Sequence, residues 1–464
     1  MNIKKVVVIG SGTMGSGIAA QIANANIDVT LLDLPSKEGS RNQITENAKE
    51  RIKKSRPPLL VEKNKAELIK VGNIEDDFNE VAEADWVVEA VVERIDIKHN
   101  IYDKIQTTRK NNSIISSNTS TIPLKILSAN MSDEMKKNFC ITHFFNPVRY
   151  MALLEIVTEE VNDIEKINLL KQFCDEKLGK GVIICNDTPG FIGNRIGVYA
   201  MQVAMTEAFK MKISIEEADA VFGRPMGIPK TGIFGLYDLI GIDLMADVLK
   251  SFIKELPKED PFHEVAQEIP LVTKLIETGY TGRKGKGGFY RMNKSEGKKI
   301  LEAINLETGE YHPSQKINLG MGDKIDINKL IQRKDKYGEY AKSILTKVIR
   351  YAAYLIPDVS SKYIDIDDAL RLGFNWTVGP FEMLSNIDTK NFIDQNTDIN
   401  FFKDLKGVFE FNKRPGYLDS SIDNLRSLNL QKTFENPSAN IKNASSYQVV
   451  EFTTKANALD TDSM

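Results

Sequence analysis

Cysteine and histidine are scarce in this sequence. Only three of the 464 residues are cysteine and four are histidine. Cys140, Cys174 and Cys185 form no Cys-x-x-Cys pair, and the histidines are scattered along the chain. This pattern argues against a disulfide scaffold and against a metal site. Free, buried thiols in a reducing, cytoplasmic compartment are expected instead.

Long apolar runs and an excess of charge of one sign are also absent. No stretch approaches the roughly 20 apolar residues that span a bilayer, and the first apolar run ends at Gly10, which is too early for a secretory signal. Lysine and arginine number 61 against 64 aspartates and glutamates, so no basic surplus indicates a nucleic-acid partner. The composition favours a globular protein with more than one domain.

The first part of the chain, residues 1–188, alternates short β-branched runs with amphipathic stretches. The runs KKVVVIG, DVTLLD, ADWVVEAVVE and SIISSN have the lengths of buried strands. The alternation predicts an α/β fold, namely a Rossmann-type doubly wound sheet. After it, segments such as RIGVYAMQVAMTEAFKM show helical periodicity with almost no strand signal. All-α domains are therefore expected to follow, the first over residues 189–292.

The C-terminal part contains a segment similar to part of this helical region. Residues 364–388 resemble residues 215–243: each runs from an acidic helix start through a Gly-rich turn and a Gly-x-Phe element to a stretch ending in Ile-Asp. Duplication is favoured, with a chance likeness of two helix-turn-helix segments as the alternative. The prediction is a polar linker over 293–337, a second, partial helical copy over 338–412 and a tail over 413–464.

A glycine pattern follows the first strand. Gly10, Gly12 and Gly15 have the spacing G-x-G-x-x-G, in which the glycines allow a tight turn, close approach of a pyrophosphate and close packing of helix on strand. The next strand ends in Asp33, about 20 residues after the first glycine, where a carboxylate meets the adenosine ribose. Asp33 would repel the 2′-phosphate of NADP, so NAD is the predicted cofactor. The alternative is an aspartate that merely ends a strand.

His143 and Glu155 lie in unusually apolar surroundings, in the segment ITHFFNPVRYMALLEIV. A hairpin centred on Arg149 would place the two side chains opposite each other, with their β-carbons roughly 4.5 to 5.5 Å apart. A carboxylate that holds one ring nitrogen lets the other act as a general base near neutral pH. The alternative is a buried pair that serves stability alone.

Two further polar residues have positions suited to a site at the carboxyl ends of the strands. Ser120 follows the strand SIISS, and Asn194 falls in the first turn of the long helix after TPGF. Either could reach a ligand beyond the sheet. Each also has an ordinary interpretation, as a turn residue or as an exposed residue of a first helical turn.

Several of these motifs occur in the same order in one family. GSGTMG, VVEAVVERIDIK, SSNTST, THFFNP, the glutamate that follows and DTPGFIGNR resemble L-3-hydroxyacyl-CoA dehydrogenases of fatty-acid β-oxidation, over about residues 1 to 292. The resemblance implies that His143 is the catalytic base, Glu155 its orienting partner, Ser120 a contact to the substrate oxygen and Asn194 a polar support.

The resemblance also implies binding residues. Asn146 would contact substrate or nicotinamide, and Glu93, Lys98 and Lys284 would lie near the cofactor. The segment 36–70 resembles the coenzyme A arm of the family only loosely, and Lys53 and Lys54 are the phosphate contacts expected there. The first helical copy departs from the family in TGIFGLYD, where the second copy has the expected VGPFEML.

The wider layout resembles fused enzymes in which a dehydrogenase part precedes an enoyl-CoA hydratase part. The final YQVVEFTTKANALDTDSM resembles the first strand and turn of a hydratase, so the chain is expected to lack hydratase activity. An acyl-CoA substrate, association with a separate hydratase or thiolase, and either a monomer with an internal pseudo-dimer or a homodimer are consistent with this layout.

Two other functions compete with this one. A related dehydrogenase of free β-hydroxy acids lacks support, because such enzymes use a catalytic lysine in place of the His-Glu pair. A catalytically silent NAD-binding remnant of a split bifunctional enzyme would keep the fold without turnover, and the hydratase-like tail motivates this alternative.

Overall fold

The structure is a computed structural model that describes residues 3–295, 298–321, 325–405, 430–435, 438–443 and 448–452. Contacts between Cα atoms divide the chain into two compact units, Met1–Phe411 and Asn412–Met464.

A twisted sheet forms the N-terminal part of the first unit. Eight strands of the described residues belong to it: β1 (Lys5–Ile9), β2 (Asp28–Asp33), β3 (Ile69–Asn73), β4 (Trp86–Glu89), β5 (Ile114–Ser117), β6 (Phe139–Phe144), β7 (Leu153–Val157) and β8 (Gly181–Cys185). Their order is β3-β2-β1-β4-β5-β6-β7-β8. All neighbours are parallel except β6 and β7, which form an antiparallel hairpin. The predicted Rossmann-type doubly wound sheet is confirmed.

Helices cover both faces of this sheet. They are α1 (Thr13–Asn24), α2 (Gln43–Lys54), α3 (Ile95–Thr108), α4 (Leu124–Leu127), α5 (Asp133–Lys136) and α6 (Ile164–Glu176), with single 3-10 segments at Lys63–Leu68 and Phe78–Glu83. Alternate residues of β1 face opposite ways: Val6 and Val8 pack with α1, α2 and α6, whereas Val7 and Ile9 pack with α3 and the helices beyond. Burial on both faces explains why the strands are continuous apolar runs.

A helical region follows, as expected. It contains α7 (Gly193–Lys210), α8 (Ile215–Val221), α9 (Phe234–Ile240), α10 (Ile242–Glu255), α11 (Phe262–Val265) and α12 (Pro270–Glu277), with a 3-10 turn at Arg224–Met226. Helix α7 is buried on almost every side, which is typical of a helix at the centre of a bundle. One apolar core continues from the sheet into this region.

The segment expected to be a linker, residues 293–337, contains regular structure. Strands β9 (Tyr290–Ser295), β10 (Lys298–Ile304) and β11 (Tyr311–Pro313) form an antiparallel sheet, and α13 (Ile327–Ile331) follows. Ala303, Ile304, Ile327 and Leu330 are buried, so the segment does contribute to the core. In β10, only the last two residues place apolar side chains in the interior. Such a short buried stretch, surrounded by lysines, gives no detectable hydrophobic periodicity in the sequence.

The second helical copy begins with a helix that packs along α7. Its elements are α14 (Lys336–Tyr354), α15 (Tyr363–Phe374), α16 (Pro380–Leu384), α17 (Thr389–Asp394) and α18 (Asn400–Asp404). The predicted boundary near residue 412 lies outside the described residues.

The two copies share one local arrangement. In the first, the Asp219 carboxylate accepts hydrogen bonds from the N–H groups of Phe234 and Gly235, at the start of α9. In the second, Asp367 accepts from the N–H groups of Phe381 and Glu382, at the start of α16. This repeated anchoring of a short helix supports the duplication.

The second unit contains a small antiparallel sheet in its described residues. Its strands are β12 (Gln431–Glu435), β13 (Ala439–Asn443) and β14 (Gln448–Phe452). Strand β14 falls in the segment that resembles the start of a hydratase, and the rest of that resemblance lies outside the described residues.

Two expectations from composition concern the cysteines and membrane-spanning helices. All three cysteines are free and buried, as predicted, and burial raises the pKa of the Cys140 thiol to about 12, which keeps it protonated. Within the part of the chain that the structure describes, every helix is too short or too polar to span a bilayer.

Candidate active site

The glycine pattern forms a tight turn between β1 and α1. Gly10 has a φ of +102°, and a Cβ there would lie 2.4 Å from the Ala90 carbonyl oxygen. A Cβ on Gly15 would lie 1.8 Å from the Gly10 carbonyl oxygen, whereas a Cβ on Gly12 would meet nothing within 4 Å. The first and third glycines therefore serve close packing, and the middle one leaves open space at the start of α1. That space suits a pyrophosphate held by the free N–H groups of the first helical turn.

A cleft of about 780 Å³ opens in front of this turn, at the carboxyl ends of the strands, and we call it the dinucleotide cleft. Gly10, Gly12, Asp33, Glu93 and Ser120 are among the residues that line it. The Asp33 carboxylate accepts hydrogen bonds from the N–H and the hydroxyl of Ser11 at 2.6 and 2.7 Å. It is thereby fixed beside the glycine turn, where a ribose would bind. The open space at Gly12 and this carboxylate fit NAD.

The predicted hairpin is confirmed, and with it the pairing of His143 with Glu155. The two residues are direct partners across β6 and β7. The His143 Nδ1 atom lies 2.7 Å from Glu155 Oε2. An ionised carboxylate can only accept hydrogen bonds, so Nδ1 carries the proton in the neutral ring and Nε2 is left as an acceptor.

Glu155 has two further partners that the sequence did not reveal. Its side chain is fully buried, and Oε1 accepts hydrogen bonds from the N–H groups of Ile192 and Gly193 at 3.0 and 2.8 Å. These groups stand at the start of α7, where N–H groups have no partner within the helix and the helix dipole favours negative charge. The helix start thus compensates the buried carboxylate and fixes its orientation.

Ser120 extends this chain of hydrogen bonds to the cleft. Its Oγ lies 3.1 Å from His143 Nε2. The loop that carries it is held by Glu93, whose carboxylate accepts hydrogen bonds from the Thr119 hydroxyl and from the N–H groups of Ser120 and Thr121. Burial alone would raise the pKa of Glu93, but the charge of Lys98 and these hydrogen bonds outweigh it, so the pKa lies below its usual value.

Lys98 lies behind the cleft wall. Its side chain is 1% exposed, and its ammonium lies 2.8 Å from Glu89 and 3.1 Å from Glu93. Glu89, which the sequence did not single out, is fully buried and also accepts hydrogen bonds from Tyr102 and Ser117. Lys98 therefore ties the cleft residue Glu93 to a buried polar network.

The apolar surroundings of His143 are aromatic. The centroids of Phe145 and Phe191 lie 4.7 and 5.3 Å from the centroid of the imidazole, both edge to face. The His143 side chain is 5% exposed. In such a site the interaction between imidazole and carboxylate is stronger than it would be in water.

The two asparagines lie close in sequence to this chain of hydrogen bonds. Asn194 is half-buried and directly follows Gly193, whose N–H binds Glu155. Asn146 is exposed, just beyond the end of β6. Their roles toward substrate stay predictions.

The other lysines predicted to bind ligands, Lys53, Lys54 and Lys284, do not line the dinucleotide cleft. Lys284 belongs to a loop whose backbone is bound to Asp238, through the N–H groups of Arg283 and Phe289. Lys53 and Lys54 are exposed on the last turn of α2 and pair with Glu50. The expected contacts of Lys284 to the cofactor and of Lys53 and Lys54 to coenzyme A stay predictions.

A residue of α2 that the sequence did not single out does approach the glycine turn. Arg51 donates a hydrogen bond to the Ser11 carbonyl oxygen at 3.2 Å. Arg51 is one of several charged residues in α2, so the sequence does not distinguish it as a contact to the glycine turn.

Two family models match consecutive parts of the chain. Residues 5–188 match the NAD binding domain of 3-hydroxyacyl-CoA dehydrogenase, and residues 190–292 match the C-terminal domain of the same family. Together they cover the sheet, the dinucleotide cleft and the first helical copy.

Two similar curated proteins differ in how much of their own length this chain spans. A putative fatty acid oxidation complex trifunctional enzyme of Rickettsia felis is 40% identical over 99% of this chain, and the chain spans 64% of that protein. A probable 3-hydroxyacyl-CoA dehydrogenase of Deinococcus radiodurans is 38% identical over 64% of this chain and 85% of its own length.

The crystal structure of 3-hydroxybutyryl-CoA dehydrogenase from Escherichia coli K12 has a similar fold. The TM-score is 0.64 at 22% identity, over 83% of this chain and 94% of that one. This structural similarity supports the fold alone. The match to the family model of the NAD binding domain, by contrast, includes the residues of the glycine turn and of the hairpin. The chain belongs to the 3-hydroxyacyl-CoA dehydrogenase family.

Proposed function

We propose that this chain catalyses the NAD-dependent oxidation of L-3-hydroxyacyl-CoA to 3-ketoacyl-CoA, and the reverse reduction. The observation that carries the proposal is the chain of hydrogen bonds from the start of α7 through Glu155 and His143 to Ser120. Ser120 lines the dinucleotide cleft, so a group able to move a proton lies beside the place where a nicotinamide cofactor would bind.

His143 is the general base in this proposal. With Nδ1–H donated to Glu155, the Nε2 lone pair accepts the proton of the 3-hydroxyl group. The imidazolium that forms is stabilised by the Glu155 carboxylate, which the N–H groups of Ile192 and Gly193 hold in place. In the reductive direction the same imidazolium returns the proton to the 3-oxygen.

The rest of the reaction divides between the cofactor and two polar side chains. NAD, when bound, accepts the hydride from the substrate carbon. The hydroxyl of Ser120 and the amide of Asn194 orient the substrate oxygen and donate hydrogen bonds to the charge that develops on it.

The names of the relatives support the acyl-CoA substrate and a place in fatty-acid oxidation. The chain spans 64% of the length of the trifunctional relative, and association with a separate hydratase or thiolase is part of the proposal. Lys53 and Lys54 are the proposed contacts to the phosphates of coenzyme A.

The test is NADH oxidation by the purified chain with acetoacetyl-CoA. We expect turnover by the wild type and a loss of about a thousandfold in His143→Gln, since the base contributes on this order. NADH binding, followed by fluorescence, should be unchanged in the variant. A folded wild type that binds NADH without turnover would instead indicate a silent NAD-binding protein, and full turnover by His143→Gln would contradict the mechanism.

A further inference from the structure

Phe145, the aromatic neighbour of His143, is enclosed by both helical copies. From the first copy, Gly193 approaches so closely that a Cβ there would lie 2.9 Å from Phe145 Cζ. From the second copy, a Cβ on Gly373 would lie 3.3 Å from Phe145 Cε1. The ring of Phe374 stands edge to face against Phe145, with the centroids 6.3 Å apart.

Phe374 is itself seated on α7. A Cβ on Gly197 would lie 2.2 Å from Phe374 Cζ, so the ring lies directly on the helix backbone, one turn after the N–H group that binds Glu155. A side chain larger than hydrogen at Gly197 would displace the ring. Phe374 thus contacts both elements that hold the His143–Glu155 pair, namely the hairpin and α7.

The segments before and after α15 are tied to the N-terminal domain by polar contacts as well. Asn186, just after β8, donates its N–H to the Val359 carbonyl oxygen at 3.0 Å and its side-chain amide to the Asp358 carbonyl oxygen at 2.9 Å. The Asn375 amide lies 3.8 Å from the Met151 sulfur, in the hairpin loop. The second copy is therefore fixed where it meets the catalytic hairpin.

We infer that Phe374 is a positioning residue for the reaction: it presses Phe145 against His143 and so keeps the imidazole aligned and shielded from water. This inference rests on the proposed function. Phe374 lies beyond residues 5–188 and 190–292, the parts matched by the family models. The second copy then completes the wall of the active site, besides packing on the first.

The test compares Phe374→Ala with Phe392→Ala in the full chain. Phe392 is a matched control because it belongs to the same copy and packs on Phe402, on another surface. We expect kcat with acetoacetyl-CoA to fall about tenfold in Phe374→Ala, because small misplacements of a reacting group are costly. The KM for NADH should stay within about twofold of the wild type, since Phe374 is not among the residues lining the dinucleotide cleft.

A second readout follows His143 directly. Acylation of its ring by diethylpyrocarbonate, measured on the His143 peptide by mass spectrometry, should be severalfold faster in Phe374→Ala and unchanged in Phe392→Ala. A role in stability alone would lower the melting temperature without this selective change.

Two variants cover the case in which Phe374→Ala does not fold. Phe374→Leu keeps most of the volume and should lose part of the kcat. Gly197→Ala keeps the ring but displaces it, and should lower kcat although alanine is the better helix former. An active wild type with kcat unchanged in all these variants would overturn the inference and leave the proposed function intact, whereas an inactive wild type would overturn the proposed function itself.

Discussion

Two buried glutamates of the sheet, Glu89 on β4 and Glu155 on β7, have different partners. Glu89 is bound by Lys98, Tyr102 and Ser117, all of them internal. Glu155 is bound by backbone N–H groups on one side and by His143 on the other, and His143 leads on to Ser120 at the cleft. The first network reaches the cleft through Lys98 and Glu93, which holds the loop of Ser120, whereas the second contains an imidazole nitrogen that can accept a proton. A buried carboxylate is thus a sign of catalysis when it holds a group that can transfer a proton next to a cleft.

The change with the largest expected effect is Glu155→Gln. The amide cannot stabilise an imidazolium as a carboxylate does, and it can favour the wrong tautomer, so kcat should fall about a thousandfold. Thermal unfolding should show a folded protein, and NADH should still bind. A fall in kcat of less than tenfold would indicate that Glu155, like Glu89, has a structural role only.

Glu89→Gln tests the other network. Removing the charge leaves the buried Lys98 with Glu93 alone, and breaking a buried ion pair costs about 3 kcal/mol of unfolding free energy. Denaturant unfolding measures this loss. The kcat of the folded fraction should stay within about threefold of the wild type, and a larger fall would contradict the assignment of Glu89 as structural.

Two serines offer a matched pair of smaller changes. Ser120→Ala removes the hydroxyl next to His143 Nε2 and should lower kcat about tenfold, the value of one hydrogen bond in the transition state, with little change in unfolding. Ser117→Ala removes a donor to Glu89 and should lower the free energy of unfolding by about 1 kcal/mol, with kcat unchanged. A loss of stability without a loss of kcat in Ser120→Ala, or a loss of kcat without a loss of stability in Ser117→Ala, would contradict the difference between the two networks.

The sequence predicted the second network better than the first. The hairpin register follows from the period of two in a strand, and it places His143 against Glu155 without knowledge of the rest of the fold. The N–H groups of Ile192 and Gly193 belong to the backbone and have no residue-type signal. Lys98 was placed near the cofactor by resemblance, but the burial of its ammonium depends on packing between α3 and the sheet.

Contacts between distant parts of the chain were the least predictable. The echo between the two helical copies was visible in the sequence, but the contact of Phe374 with Phe145 was not, because these residues are 229 positions apart and both look like ordinary core phenylalanines. Strands β10 and β11, within residues 293–337, were missed because few of their side chains reach the core. Patterns along the chain therefore predicted elements and local pairs, and packing decided the rest.

The central claim is that Glu155 acts through His143, and the double-mutant cycle of the two residues tests it most directly. The measurement is kcat for wild type, His143→Gln, Glu155→Gln and the double variant with acetoacetyl-CoA and NADH. The account predicts that the double variant is as slow as His143→Gln alone, because an orienting carboxylate has no effect once the imidazole is gone. If the two losses multiply, Glu155 acts independently of His143, and the account is contradicted.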